Sequence, residues 1–499
     1  MIKTLSSAQM RACDRYTIDT LGVPSLTLME RAGQAIAAET QKIFSALGVN
    51  EALVVCGGGN NGGDGFVAAR LLQEAGADVQ ILCMAEKFSP DCAAVKEKFK
   101  GEILQRMPRR RYPVILDCIF GTGLSRPVEG TELSLIRFIN AAGAFVISAD
   151  IPSGLNGDNG LVMGECVRAD LTVAVGGYKH GLLLNDGGEY CGAVVAAEIG
   201  IDTSRAAGAY IAEDKDIAAF FPDRKRNSHK GTYGKVSIIA GSRAYSGAAL
   251  LAASAALRGG AGYVELCVPS GLFSVYAGKL PEVILTSFSG EDAFRYCEED
   301  LEKVLSGQCV VAGMGMGASF ETYKMVKYLL ERYTGRLVLD ADALNALARY
   351  GTDILKEKKC AVLLTPHIKE FSRLSGLTVK EVSELGAQAP QEFSAAYGVS
   401  VLLKSAVSVL CGEEKIFFNV RGSACQAKGG SGDVLSGVIG SLAAQGRSVT
   451  DAALAGSYLC GVAGELCEQE LGQYSVTAGD VIAHIPAALR HILDNGRKN

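Results

Sequence analysis

"ALVVCGGGNNGGDGFVAARLLQEAG", residues 52–76, reads as a strand, a glycine-rich loop and a helix in immediate succession. Its first five residues are apolar without alternation. That marks a strand buried on both faces, and such strands belong to parallel sheets covered by helices. The cadence recurs in "DVQILCM" (78–84), "PVILDCIF" (113–120), "AFVISAD" (144–150), "LTVAVG" (171–176) and "AVVAAEIG" (193–200), with helical stretches between. The pattern predicts an α/β fold with a doubly wound parallel sheet, whose ligands sit at the carboxyl ends of the strands.

Between about 205 and 232 the pattern lapses into a polar, charged passage, where we place a domain boundary. A second α/β series follows: "KVSIIAG" (235–241), "YVELCVP" (263–269), "CVVAGMG" (309–315), "RLVLDAD" (336–342), "AVLLTP" (361–366) and "SVLLKSA" (400–406). "SVLCGEEKIFFNV" (408–420) reads as a hairpin with Gly412 in its turn. The halves carry different motifs, so the chain reads as two unrelated domains fused, as its 499 residues also suggest.

Composition excludes several classes. With 49 basic and 54 acidic residues the net charge is −5, and the basic runs "RMPRRR" (106–111) and "DRKRNSHK" (223–230) are short solvated loops, so no nucleic-acid partner is expected. Arg258 interrupts the longest small-apolar stretch (247–262) before it reaches the roughly 18 residues that a membrane span needs. The N-terminus reads as an amphipathic helix without a signal-peptide core. Fifteen cysteines without a CxxC pair fit buried free thiols in a reducing cytoplasm better than disulfides or zinc.

The loop at 57–62, "GGGNNG", formally satisfies G-x-G-x-x-G, and Glu86 could serve as the acidic partner of a dinucleotide site. Asn60, Asn61 and Asp64 argue otherwise, since they place side-chain oxygens where a pyrophosphate prefers bare amides. Two more strand-end loops repeat this chemistry. "LDCIFGTGLSRPVEG" (116–130) brings Asp117 and the turn Gly121-Thr122-Gly123; "SADIPSGLNGDNG" (148–160) brings Asp150, Pro152 and Ser153. Amide, carboxylate and hydroxyl oxygens suit a hard cation rather than zinc. Asp117 and Asp150 also fit capping or turn closure, and Asn60 alone fits a turn.

Together these three motifs resemble the NAD(P)H-hydrate epimerase family, the YjeF N-terminal type, across roughly residues 1–210. The resemblance implies a Rossmann-like three-layer αβα domain over 1–212. It implies substrate contacts at Asn60, Asn61, Gly62, Gly63 and Asp64, at Gly121, Thr122, Gly123, Leu124, Ser125, Arg126 and Pro127, and at Asp150. It also implies K+ held by Asn61, Asp117 and Ser153. Asp150 is the preferred acid/base group, because inverting a carbon that bears a hydroxyl needs proton transfer near the ring.

In the second half, "AKGGSGDVLSGVIGSLAAQG" (427–446) leaves bare amides at the mouth of an apolar helix, where an anion meets free N–H groups and the helix dipole. Asp433 at that mouth reads as a general base, with an N-cap as the bland alternative. GGSGD before a helix resembles the ribokinase-type fold. The motifs at 228–242, 245–262, 313–317, 339–347, 363–374 and 402–410 narrow the resemblance to ADP- or ATP-dependent NAD(P)H-hydrate dehydratases, over 222–499. It implies nucleotide contacts at Lys404, Ser405, Ala406, Val407, Ser408 and Gly432, and hydrate contacts at Ala249, Gly317, His367 and Asp433. Ser405 and Ser431 depart from the family's usual glycine and threonine. His367 alone would fit a satisfied polar residue at a strand end. Asp340 or Asp342 either helps hold Mg²⁺ or caps the next helix.

Water added across the 5,6 double bond of reduced nicotinamide gives a dead hydrate as two epimers. The resemblances imply two consecutive repair steps: epimerisation of R and S forms, then dehydration of the S form at the expense of ADP or ATP, releasing AMP or ADP and phosphate. They imply a homo-oligomer as well. Two other readings stand beside this one: a kinase for a small hydroxylated vitamin precursor, and an N-terminal half serving only as a binding module.

Overall fold

The computed structural model describes residues 1–497, which fall into two compact units, Lys3–Ala209 and Tyr210 onward together with Met1 and Ile2.

The first unit is built on a seven-stranded, fully parallel sheet in the order Ile103–Leu104, Asp78–Leu82, Glu51–Cys56, Val114–Cys118, Phe145–Ala149, Leu171–Val175, Ala193–Ala197. Helices Ser25–Leu47, Asn60–Glu74 and Pro90–Lys96 cover one face, burying Ile36, Phe66 and Val95 against Val54, Ile81 and Leu116. Helix Gly130–Ala141 covers the other, with Ile136 and Ile139 against Leu53, Val55 and Ile115. This is the three-layer arrangement that continuous apolar strands require. The strand order reverses between Glu51–Cys56 and Val114–Cys118, which makes a crevice beyond their carboxyl ends. At the N-terminus the amphipathic reading holds only from Ser7: Ile2–Leu5 is a strand, parallel to Tyr178–Lys179, and Ser6 caps the helix Ser7–Asp19 through a reciprocal bond with Gln9.

The second unit has seven parallel strands in the order Ile284–Phe288, Tyr263–Pro269, Lys235–Ile239, Cys309–Ala312, Arg336–Leu339, Ala361–Leu364, Ser400–Leu403. Ser408–Gly412 and Lys415–Asn419 extend it as an antiparallel hairpin. The hairpin turn is Glu413-Glu414, both left-handed at φ 51° and 62°, while Gly412 is the last paired residue, opposite Lys415. Gly412 is small for another reason: a Cβ there would lie 2.5 Å from Ser400 Oγ.

Helix Ser431–Ala444 runs through the centre of this unit, packed on helices Ser246–Arg258 and Val449–Leu471 and on the strands beneath. Its glycines set the depth. A Cβ on Gly437 would meet the Ala252 carbonyl oxygen at 2.1 Å, and one on Gly440 would meet Val311 Cγ2 at 2.2 Å. All fifteen cysteines are free and all but Cys297 are buried. Among the described residues no helix is long and apolar enough to cross a membrane.

Candidate active sites

In the first unit the three loops converge at the crevice. The helix begins at Asn60, so "NNGGD" is its first turn rather than a loop before it, and Gly59 caps it with no side-chain bond. Close approach fixes the glycines: a Cβ on Gly62 would lie 2.0 Å from the Gly57 carbonyl oxygen. A cleft of about 550 Å³ opens here, lined by Gly57–Asn61, Asp64, Ile119–Leu124 and Asp150, with Met10, Leu28 and Met29 as its apolar wall.

Asp117 is fully buried behind that cleft. Ser153 Oγ and N donate to it at 2.6 and 2.8 Å, and Ser148 Oγ at 2.9 Å. Burial pushes the carboxyl above its ordinary range, and these donors pull against it. Asn61 donates through Nδ2 to the Phe120 carbonyl at 2.9 Å, and the Phe120 amide donates to Ser153 Oγ at 2.9 Å. Asn61, Ser153 and Asp117 are thus tied together through the Phe120 backbone. Asn61 Oδ1 is buried and accepts nothing. A buried, unpartnered carbonyl oxygen beside a hydroxyl and a carboxylate fits a potassium ion.

Asp150 adopts a left-handed conformation at φ 69°, costly for a residue with a side chain. The Thr122 amide donates to its Oδ2 at 3.2 Å, and Lys179, which is fully buried, forms an ion pair with its Oδ1. A Cβ on Gly121 would lie 2.7 Å from Asp150 Oδ2, so a side chain there would displace the carboxylate. Sequence reasoning missed Lys179. The available signal was a lysine between Gly176-Gly177 and Gly181, directly after the apolar strand run 171–175.

Some expected contacts lie off the cleft surface. Ser125, Arg126 and Pro127 are exposed beyond its lining, and Gly62 and Gly63 are buried behind it. Glu86, the rival's acidic residue, does not line it either.

In the second unit a cleft of about 870 Å³ is lined by His367, Lys404, Ser405, Ala406, Ser408, Gly429, Ser431 and Gly432, and also by Asn419, Arg421, Gln426 and Lys428, which sequence reasoning did not single out. Val407, Gly317 and Asp433 fall outside that lining, Asp433 directly following Gly432, which is on it. Gly430 caps the helix in the left-handed region at φ 96°, and no side chain occupies the amides of the first turn. Lys428 donates at 2.6 Å to the carbonyls of both Tyr474 and Val476, which pins the loop. Lys404 forms an ion pair with buried Asp340 at 2.8 Å, and Ser436 Oγ donates to the other oxygen of Asp340 at 2.7 Å. A Cβ on Gly432 would lie 3.3 Å from Lys404 Nζ, so the amine sits directly over the GGSGD turn.

Asp433 is half-buried in the first turn of the helix. Burial and the charge of Asp340 push its carboxyl up to about 6, against the pull of Lys404. Neither acid of "LDADALNAL" caps the following helix. Asp340 holds Lys404 and Ser436, and Asp342 accepts from the Gly317 amide at 2.8 Å. His367 itself caps helix Ile368–Ser375, its Nδ1 accepting from Lys369 and Glu370 amides at 3.1 and 3.3 Å, while its Nε2 lies 3.6 Å from Glu370 Oε1. Ala249 is fully buried against Gly241.

Comparison with known proteins agrees with this division. Residues 236–487 match the family model described as NAD(P)H-hydrate dehydratase, and residues 25–181 match the model described as YjeF-related protein N-terminus. The bifunctional NAD(P)H-hydrate repair enzyme Nnr of Thermofilum pendens is 35% identical over 99% of this chain and 97% of its own length. That of Moorella thermoacetica is 33% identical over 98% and 97%. A crystal structure of ADP/ATP-dependent NAD(P)H-hydrate dehydratase from Bacillus subtilis, co-crystallised with ATP and Mg²⁺, matches with a TM-score of 0.50 at 26% identity, over 57% of this chain and 100% of that one. With two family models in order and full-length relatives above 30% identity, the chain belongs to the family of bifunctional NAD(P)H-hydrate repair enzymes.

Proposed function

We propose that the N-terminal domain, 1–212, interconverts the R and S forms of hydrated NADH and NADPH, and that the C-terminal domain, 222–499, dehydrates the S form with ADP or ATP as phosphoryl donor. One observation carries the reading: Asp433, pushed up to about 6, stands beside Lys404 in the first turn of a helix whose mouth has no side-chain cap, immediately after Gly432, which lines a cleft sized for a nucleotide. A carboxylate so tuned takes the proton from the hydrate's hydroxyl as that oxygen attacks the terminal phosphate. Hydroxide leaves poorly; phosphate leaves readily, driven by the lone pair of the ring nitrogen. The amides of Gly432 and Asp433 and the Lys404 amine stabilise the charge on the moving phosphoryl group.

In the C-terminal domain Lys404, Ser405, Ala406, Ser408 and Gly432 bind the nucleotide, and Gly317, His367 and Asp433 bind the hydrate. Among the described residues no three acidic, His or Cys groups gather as a metal site, and Asp340 is committed to Lys404. Mg²⁺ would be carried by the nucleotide phosphates, as is common for this ion, and would offset their charge. In the N-terminal domain Asn60, Asn61, Asp64, the 121–124 turn and Asp150 bind the hydrate, and Asn61, Asp117 and Ser153 would hold K+, whose charge would tie the loops they stand on. Fifteen free thiols suit a reducing cytoplasm. Exposed Phe273 and Val275, with Ile284 on the edge strand of the second sheet, support a homo-oligomer, which light scattering on the purified chain checks.

The test mixes the protein with both epimers and ADP or ATP and follows the near-ultraviolet absorbance of reduced nicotinamide. Recovery of both epimers is expected. Recovery of half leaves only the dehydratase, and no recovery rejects the reading. Asp433→Asn should abolish recovery and leave nucleotide binding largely intact.

A further inference from the structure

Asp64 shares the N-terminal cleft with Asp150, yet the two carboxyls are held in opposite ways. Asp150 has both oxygens engaged, one by the Lys179 cation and one by the Thr122 amide. Among the described residues no hydrogen bond or ion pair holds the Asp64 carboxyl. Asp150, Asp14 and Lys179 are the charged groups that face it, and the buried thiols of Cys56, Cys92 and Cys118 lie around it. Burial, and then the negative charge of Asp150, push its carboxyl well above the ordinary range. Two carboxyls in one site, one paired with a cation and the other half-buried and unpartnered beside a like charge, divide naturally into base and acid.

The chemistry requires both. In the hydrate the hydroxyl and the ring nitrogen share one carbon, so that carbon can be inverted by opening and reclosing the ring. We propose that Asp64 is the proton donor of the epimerisation and Asp150 its base, with Lys179 as the positioning residue that orients Asp150; the proposal rests on the epimerase reading above. Asp150 takes the hydroxyl proton, the C–O bond becomes a carbonyl, and the C6–N1 bond breaks with its electron pair going to nitrogen, which receives the proton of Asp64. Rotation about the C5–C6 bond presents the other face of the aldehyde. Nitrogen then attacks that face and returns its proton to Asp64, while Asp150 returns its proton to oxygen. Every proton ends where it began, and no co-reactant is consumed.

The experiment follows interconversion of separated epimers by chromatography in the full chain and in Asp64→Asn. Loss of at least about 100-fold in kcat with little change in KM is expected. The alkaline limb of the pH–rate profile, where the acid loses its proton, should vanish in the variant. Nucleotide-dependent dehydration of the S form by the same chain should be retained, and a melting curve like the wild type shows that the variant is folded. Carbon NMR of labelled aspartate carboxyls in the unaltered protein should find Asp64 still protonated at neutral pH. Lys179→Gln should lower kcat rather than raise KM, with partial rescue by Lys179→Arg. Wild-type kcat in Asp64→Asn, a pH profile unchanged in shape, or an Asp64 that titrates like an ordinary carboxyl overturns the inference alone. Absence of interconversion in the unaltered chain rejects the epimerase reading and the inference with it.

Discussion

Lys404 Nζ and Asp340 Oδ1 lie 2.8 Å apart beside Gly432, so the cation expected to meet the nucleotide is already balanced by a buried carboxylate. That carboxylate also faces Asp433, so one ion pair sets both the anchor for phosphate and the proton affinity of the base.

The pH profile of kcat for dehydration should report this directly. Asp433 must be ionised to accept a proton. Its raised pKa of about 6 means that the rate is present above that pH and lost as pH falls through it. Asp340→Asn removes a like charge and should move this limb down by about one pH unit, whereas Lys404→Gln should move it up by about as much.

Asn61→Ala removes the buried oxygen that accepts nothing. Activation of epimerisation by KCl, measured against tetramethylammonium chloride, should weaken by about tenfold or more, and nucleotide-dependent dehydration should be unchanged.

Gly440→Ala puts a methyl 2.2 Å from Val311 Cγ2 at a buried helix position and should destabilise the second unit by about 1–3 kcal/mol in a urea titration. The same substitution at Gly479, whose nearest non-neighbour atom is Thr477 Oγ1 at 3.6 Å, should be neutral or stabilise by about 0.4–1 kcal/mol.

The turn Glu413-Glu414 holds two side-chain-bearing residues at positive φ. Replacing them with Asn-Gly suits the left-handed pair that a two-residue hairpin needs, and should raise the melting midpoint by a gain of about 1–2 kcal/mol.

Much of this was legible in the sequence because period and punctuation are local signals. Both sheets follow from continuous apolar runs, and the bare amides before Asp433 follow from four consecutive small residues. What was not legible depends on atoms far apart in the chain. Lys179 reaches Asp150 only once two strand ends are neighbours, and Ala249 is buried by packing on Gly241. Gly412 attracted the turn because glycine commonly marks one, but here its lack of a side chain answers crowding by Ser400. Asp340 and Asp342 sit two residues apart in one motif and are pulled to different tasks by Ser436 and Gly317.

The seat of Gly437 against the Ala252 carbonyl has a kinetic meaning. How far that helix sinks between its neighbours decides where its leading carboxylate arrives, so aim is set from the rear by atoms that no ligand ever meets. Erosion of that contact should dull turnover well before it melts the protein, and a search for impaired variants confined to the cleft walls would overlook it.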